Sequence, residues 1–396
     1  MNRDLRLITL ALAIWGVGEG LFFYLTPLYL QELDADPVEI GVILGIAAIM
    51  LTICHIPAGV LSDRYGPKSL MVGSWSMGLV ATATMYLAPS LALFVTGLFL
   101  YNFAGFMMSP MSTYVSRTRG AWTLARALTT ASSGFSAGTI LGALAGGWIG
   151  EGAGLRAIYG IATLVFVAST ALILLIRAQP PIEQAKRPPY DAIGKDVVVR
   201  RFLALIFLTN FALWLSWPLT PVYLQGQRSV SLSAIGLLGS FNALGIVVLN
   251  LTLGRLHPRK GFLLTQGLVG LSAAALCFGT GLPWYAAGYF LAGGFRTARS
   301  LAAALVEGLV QPGVVGLAFG LTETIASSAV VLANPLAGLL YSVLPTLPYY
   351  AGLILSGTIL MVNAIGLPRS AGEAAASRFM AGSAGVESEG NHGVLD

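Results

Sequence analysis

Apolar runs recur along the whole chain, each near the roughly twenty residues that a helix needs to cross about 30 Å of hydrocarbon. Helices satisfy their own backbone hydrogen bonds in lipid, so the reading is an all-α membrane protein. The weak alternation of an outer-membrane barrel is not what these segments carry. Of 396 residues, 10% are Asp, Glu, Lys or Arg and 56% are apolar. That balance excludes a disordered chain and argues against an ordinary soluble globule, in which about 25% of residues are charged.

Breaks at charge clusters and at Pro or Gly turns give twelve spans, at about 6–31, 37–61, 68–88, 90–116, 122–149, 155–177, 201–225, 231–255, 262–281, 283–308, 314–342 and 347–368. Arg3 and Arg6 precede the first span. It is longer than a signal peptide and no small-residue cleavage site follows, so it is expected to be retained. With the N-terminus in the cytoplasm, inner loops, tails and span ends hold 18 of the 22 Lys and Arg residues, and the outer loops only Arg156 and Arg228. This asymmetry predicts both termini inside, in the cytoplasmic (inner) membrane of a prokaryote. The pI near 9.2 then reflects cations beside anionic lipid, with no call for nucleic acid. Cys54 and Cys277 lie within spans and read as small hydrophobes.

The chain is written twice. LTPLYLQ at 25–31 returns as LTPVYLQ at 219–225, and Ile40-Gly41 as Ile235-Gly236. Gly59, Leu61, Arg64 and Gly66 of GVLSDRYGPK return as Gly254, Leu256, Arg259 and Gly261. An offset that holds across half the chain predicts two parallel six-helix bundles related by an axis along the membrane normal. The expected domains are an N-terminal bundle at 1–178, a cytoplasmic linker at 179–200, a C-terminal bundle at 201–368 and a disordered tail at 369–396.

Over about 6–368 the chain resembles the twelve-helix transporters of the major facilitator superfamily. GVLSDRYGPK is similar to that family's loop 2–3 signature through Gly59, Leu61, Asp63, Arg64, Gly66 and Lys68; it departs at Pro67, and its echo has Pro258 in place of the aspartate. The resemblance implies a cytoplasmic gate built on this motif and its echo at Arg259, in which Asp63 rests near the start of span 11; Arg64 and Lys68 can hold neighbouring helix ends or lipid phosphate. GTILGALAGG is similar to the family's antiporter motif through Gly138, Gly142, Gly146 and Gly147, with Ala143 at its proline; Pro335 and Gly338 stand in the paired position of span 11. Small residues at this spacing let spans 5 and 8, or 2 and 11, pack closely. These motifs are closest to those of bacterial small-molecule and drug proton antiporters.

Charges in mid-membrane need a cavity or a partner. Glu19, Arg296, Arg299 and Glu323 lie at comparable depth. The resemblance implies that spans 1, 4, 7 and 10 line the cavity, so Glu19 is the expected proton site, Arg296 and Arg299 face the solute path, and Glu323 is the expected partner of Arg296. Asn210, Trp214 and Trp217 are candidates for a hydrogen bond and flat walls, with Tyr24, Tyr101 and Asn102 weaker ones. Gly16, Gly18 and Gly20 around Glu19 predict close packing or a flexible point, because no strand precedes them as nucleotide binding would require.

The resulting expectation is a secondary transporter of a small organic solute, proton-coupled, with export preferred over uptake. A second reading clamps an organic carboxylate or phosphate between Arg296 and Arg299 as symport or exchange. A third, of another class, is a non-transporting sensor or lipid-binding scaffold. No paired acids at a membrane surface, metal-spaced His or Cys, or nucleophile elbow supports an enzyme, and no cofactor is expected beyond the coupling proton. The expected partners are the solute and the bilayer, and the expected state is a monomer.

Overall fold

Pro37 opens a helix because Asp36 caps it. The Asp36 carboxylate accepts from the backbone of Val38 and Glu39, and the Glu39 carboxylate accepts in turn from the Asp36 backbone N–H. The structure is a computed structural model and describes residues 2–122, 124–180, 196–310 and 315–367. Twelve rods follow in order. They are α1 (Arg3–Phe23, continued by Thr26–Glu32), α2 (Pro37–Tyr65), α3 (Pro67–Leu87), α4 (Leu91–Phe103, then a 3-10 turn at Ala104–Met107 and Met108–Thr118) and α5 (Leu124–Ala153). After them come α6 (Leu155–Leu174), α7 (Val197–Trp214, continued by Thr220–Arg228), α8 (Leu232–Leu253) and α9 (Pro258–Phe278). The last three are α10 (Leu282–Ala292 and Gly294–Glu307), α11 (Val315–Val343) and α12 (Leu347–Gly366). Ten of the described helices are long and apolar enough to cross a membrane. The other two rods are α5, which is rich in Gly, Ser and Thr, and α10, which breaks at Gly293.

The rods form two bundles, α1–α6 and α7–α12, and the sequence echo is realised as matching contacts. Leu25 and Leu219 both turn the chain with φ −103°, and a Pro opens each short helix that follows. Thr26 donates back to the Phe22 carbonyl and lies 3.3 Å from the Tyr159 hydroxyl. In the second bundle Thr220 donates to Ser216 and receives the Tyr349 hydroxyl at 3.1 Å. The same threonine–tyrosine lock thus closes the end of each repeat remote from the termini.

Glycines set how closely α1 and α5 approach. A Cβ at Gly138, Gly142 or Gly146 would strike the carbonyls of Ala13, Val17 or Leu21, and one at Gly16 or Gly20 would strike Phe135 or Thr139. WGVGEG is therefore a packing surface, one of the two readings its sequence leaves open. Three of the four motif glycines on α5 face α1 rather than α8; only Gly147 meets α8, at Leu232 and Gly236. Across the other seam, Pro335 and Gly338 of α11 pack on Gly45 and Gly41 of α2.

The loop after α2 holds its own bundle together. Gly66 takes φ +81°, which favours glycine, and Pro67 then occupies the first turn of α3, where its missing N–H costs nothing. Pro258 opens α9 in the same way. Lys68 donates to the Leu174 carbonyl at the end of α6, and Arg259 to those of Ala364 and Leu367 at the end of α12. Each cation caps the carbonyl end of the last helix of its own half. Arg64 is exposed and lies over the Tyr65 ring. The side chains of Asp63, of Gly59's neighbours and of the first residues of α11, together with most of the linker and all of the tail, lie outside what the structure describes.

Between described residues, the hydrogen bonds and glycine contacts that join the bundles gather at the end remote from the termini. The Tyr24 hydroxyl donates to Asn242 at 3.1 Å, Ser240 to the Ile140 carbonyl at 2.7 Å, and the Ser233 N–H to Glu151 at 2.9 Å. The α2–α11 and α5–α8 glycine contacts lie in the same layer.

Candidate functional site

On α1, Gly16 and Gly20 turn towards α5 while Trp15 and Gly18 meet the Phe166 ring of α6. Glu19 is left pointing at α4, where the Tyr101 hydroxyl donates to its Oε2 at 2.7 Å. Tyr101 is itself fixed by stacking, 6.2 Å from Trp15 and 6.0 Å from Phe166, and Phe22 meets it edge-on at 5.1 Å. A half-buried carboxylate is thus held by one phenol inside an aromatic frame. Tyr101 is among the weaker sequence candidates, yet its phenol is what meets the carboxylate.

One turn further from the termini, Tyr24 closes the space above Glu19. Its hydroxyl is tied to Asn242 of α8, whose amide donates to the Tyr289 carbonyl of α10 at 2.8 Å. Tyr289 packs edge-on against Trp217 at 5.0 Å. Tyr24 is only 4% exposed, so it forms the ceiling of the site. Asn242 is not among the sequence candidates; its polar amide among the apolar residues of GSFNALG is the signal that could have found it.

On α10, Gly293 packs on Asn242 and Gly245 of α8, and Phe295 stacks against Trp214 of α7 at 4.7 Å. Arg299 reaches Glu323 of α11 with two bonds, the longer 3.4 Å, and Ser327 with a third at 2.9 Å. Arg296 stands on the remaining sector, between the α8 side and the α11 side, which is the side that faces the other bundle. It is exposed although Phe295, Thr297 and Ala298 beside it are buried. Gly293, one turn before Arg296 on α10, packs on the Asn242 carbonyl, and the Asn242 side chain holds the Tyr24 hydroxyl just past Glu19 on α1, so Glu19 and Arg296 lie on the same side of one junction, from opposite halves.

Glu323 is therefore the partner of Arg299, not of Arg296: at this helix crossing the residue three positions further along α10 is the one that meets α11. The Arg296 side chain has no hydrogen-bond or ion-pair partner among the described residues, and a joint clamp by both arginines is not formed. Asn210 is 2% exposed and spends its amide N–H on the Ile206 carbonyl of its own helix. Trp214 donates to Asn334 of α11 at 2.8 Å, and Asn102 to the Leu98 carbonyl at 2.9 Å. These residues are committed within their bundles, whereas Trp217 remains half-buried near the ceiling.

Among curated relatives, the chain is 26% identical over 275 residues to the multi-drug resistance efflux pump PmrA of Streptococcus pneumoniae, covering 65% of this chain and 68% of the pump. It is 24% identical over 282 residues to the multidrug resistance protein MdtG of Klebsiella pneumoniae, covering 66% of each. Among solved structures, the nucleoside transporter NupG superposes with a TM-score of 0.74 at 13% identity, over 92% of this chain and 98% of that one. A bacterial homolog of the human lysosomal transporter Spinster, inward-facing and occupied, gives 0.68 at 13% identity over 96% of both. Residues 8–212 and 202–386 each match the profile of the family these transporters share: the chain belongs to the Major Facilitator Superfamily and is a multi-pass membrane transporter, not an enzyme.

Proposed function

We propose that the protein is a proton-coupled secondary transporter that expels a small organic solute by rocking its two bundles about the space between Glu19 and Arg296. The observation that carries this reading is Glu19, a carboxylate midway along a membrane helix whose only described hydrogen-bond partner is the Tyr101 phenol. Among the described residues no cation is hydrogen-bonded or ion-paired to it, so the carboxylate is left to a mobile partner. The cation asymmetry supports termini in the cytoplasm of an inner membrane. The sealed layer around Tyr24, Glu151 and Gly338 is then external, and the geometry is inward-facing, ready to load from the cytoplasm. The efflux pumps among the relatives favour export.

Arg296 favours the opposite direction as a second reading, since an unpaired guanidinium facing the cavity suits capture of an anion. The test is Glu19→Gln in proteoliposomes with an imposed proton gradient. Gradient-driven accumulation of solute is expected to vanish while solute exchange persists. Undiminished accumulation would remove Glu19 from the coupling.

A further inference from the structure

Glu19 and Arg296 carry opposite charges, face one space from opposite bundles and are not paired with each other. Arg299, the neighbouring cation, is already neutralised by Glu323 and hydrogen-bonded to Ser327. A purely anionic solute at Arg296 would lie in the field of a carboxylate with no cation of its own, and a purely cationic solute at Glu19 would lie in that of an unpaired guanidinium. Like charges in a partly desolvated site repel strongly. Either solute would also leave one of the two charges uncompensated as the bundles close over it. Around the charges stand the half-buried faces of Tyr101 and Trp217 and the tyrosine ceiling of Tyr24 and Tyr289.

From this juxtaposition we propose that the transported solute is amphoteric and apolar-bodied: its anionic group binds Arg296, its protonated amine binds Glu19, and its aromatic or apolar body lies against Tyr101 and Trp217. This rests on the transport reading above and narrows its substrate class. It also supplies a reason for exchange, because an ammonium group and a proton compete for the same carboxylate. Loading the solute displaces the proton, and reprotonation releases the solute.

The test uses three molecules on one naphthyl body: naphthylalanine with both charges, naphthylethylamine with the cation alone, and naphthylpropanoic acid with the anion alone. Binding to the purified full-length protein at neutral pH is measured by titration. Naphthylalanine is expected to bind at least roughly tenfold tighter than either relative, as one well-placed charged contact implies. Arg296→Gln is expected to remove its advantage over naphthylethylamine, and Glu19→Gln its advantage over naphthylpropanoic acid. Arg296→Lys, which keeps the charge without the planar fork, is expected to retain part of the preference and controls for misfolding. Equal binding of the three, tighter binding of a singly charged one, or no binding of naphthylalanine overturns the proposal. If the three bind alike while Glu19→Gln still abolishes gradient-driven transport, the amphoteric class falls and proton coupling stands. If the preference holds without proton coupling, the reverse is concluded.

Discussion

A single hydroxyl decides what Glu19 can do. The Tyr101 phenol is its only described hydrogen-bond partner, and Trp15 and Phe166 hold that ring in place. Tyr101→Phe keeps the ring and its stacking, so thermal stability is expected to stay close to that of the parent protein. Transport is expected to fall roughly tenfold, since a hydrogen bond to a charged group contributes about 1.5–3 kcal/mol. Initial rates in proteoliposomes measure this, and an unchanged rate would mean that the phenol is not part of the working site. At this scale the sequence is partly legible. A glutamate inside an apolar run needs a cavity wherever the helix lies, so Glu19 stands out. Its partner does not, because nothing in the chain states which of several tyrosines a folded bundle brings to it. The pairing of Glu323 with Arg299 rather than Arg296 is hidden for the same reason, since it depends on how α10 and α11 are rotated against each other.

Helices α1 and α5 form one tightly packed unit because glycines on each remove the side chains that would hold them apart. Gly142 sits against the Val17 carbonyl with no room for a methyl group. Gly142→Ala is expected to destabilise the protein by about 1–3 kcal/mol, the usual penalty for overpacking, through displacement of backbone. Thermal unfolding in detergent checks this, and an unaltered transition would show that α1 and α5 have slack. The twelve spans and the repeat are readable because hydropathy and self-similarity are written along the chain. The glycine motif is readable as small residues but not as to partner: the spacing allows α5 to meet either neighbour, and three of its four motif glycines meet α1. Lys68 and Arg259 teach the same lesson. A helix end is the expectation for Lys68, and the fold decides that it is the end of α6 in its own bundle, with Arg259 doing the same at α12.

At the scale of the whole molecule, the two bundles meet through a layer containing one charge-assisted contact among the described residues, between Glu151 and the first turn of α8. Glu151 lies beyond the apolar stretch of α5. The Ser233 hydroxyl, then the Ser233 backbone N–H, hold its carboxyl below the ordinary carboxylate range. A lowered value means that the contact favours the sealed form at pH above the usual carboxylate value of about 4.3 and is lost as pH falls through the lowered one. Acidifying the medium on that side into that range is therefore expected to populate the form open there. Glu151→Gln is expected to remove this pH response, as read by spin-label distances across the α5–α8 seam. A response that survives in the variant would assign it to another group.

The most direct test of the central claim, that transport requires this layer to open, is to tie it shut. Glu151→Cys and Ser233→Cys, joined by a short reducible cross-linker and reconstituted in proteoliposomes, place one tether across the seam. The linked protein is expected to keep solute binding and lose transport, with transport returning on reduction. Full transport by the linked protein would contradict a mechanism in which the bundles rock apart at this end.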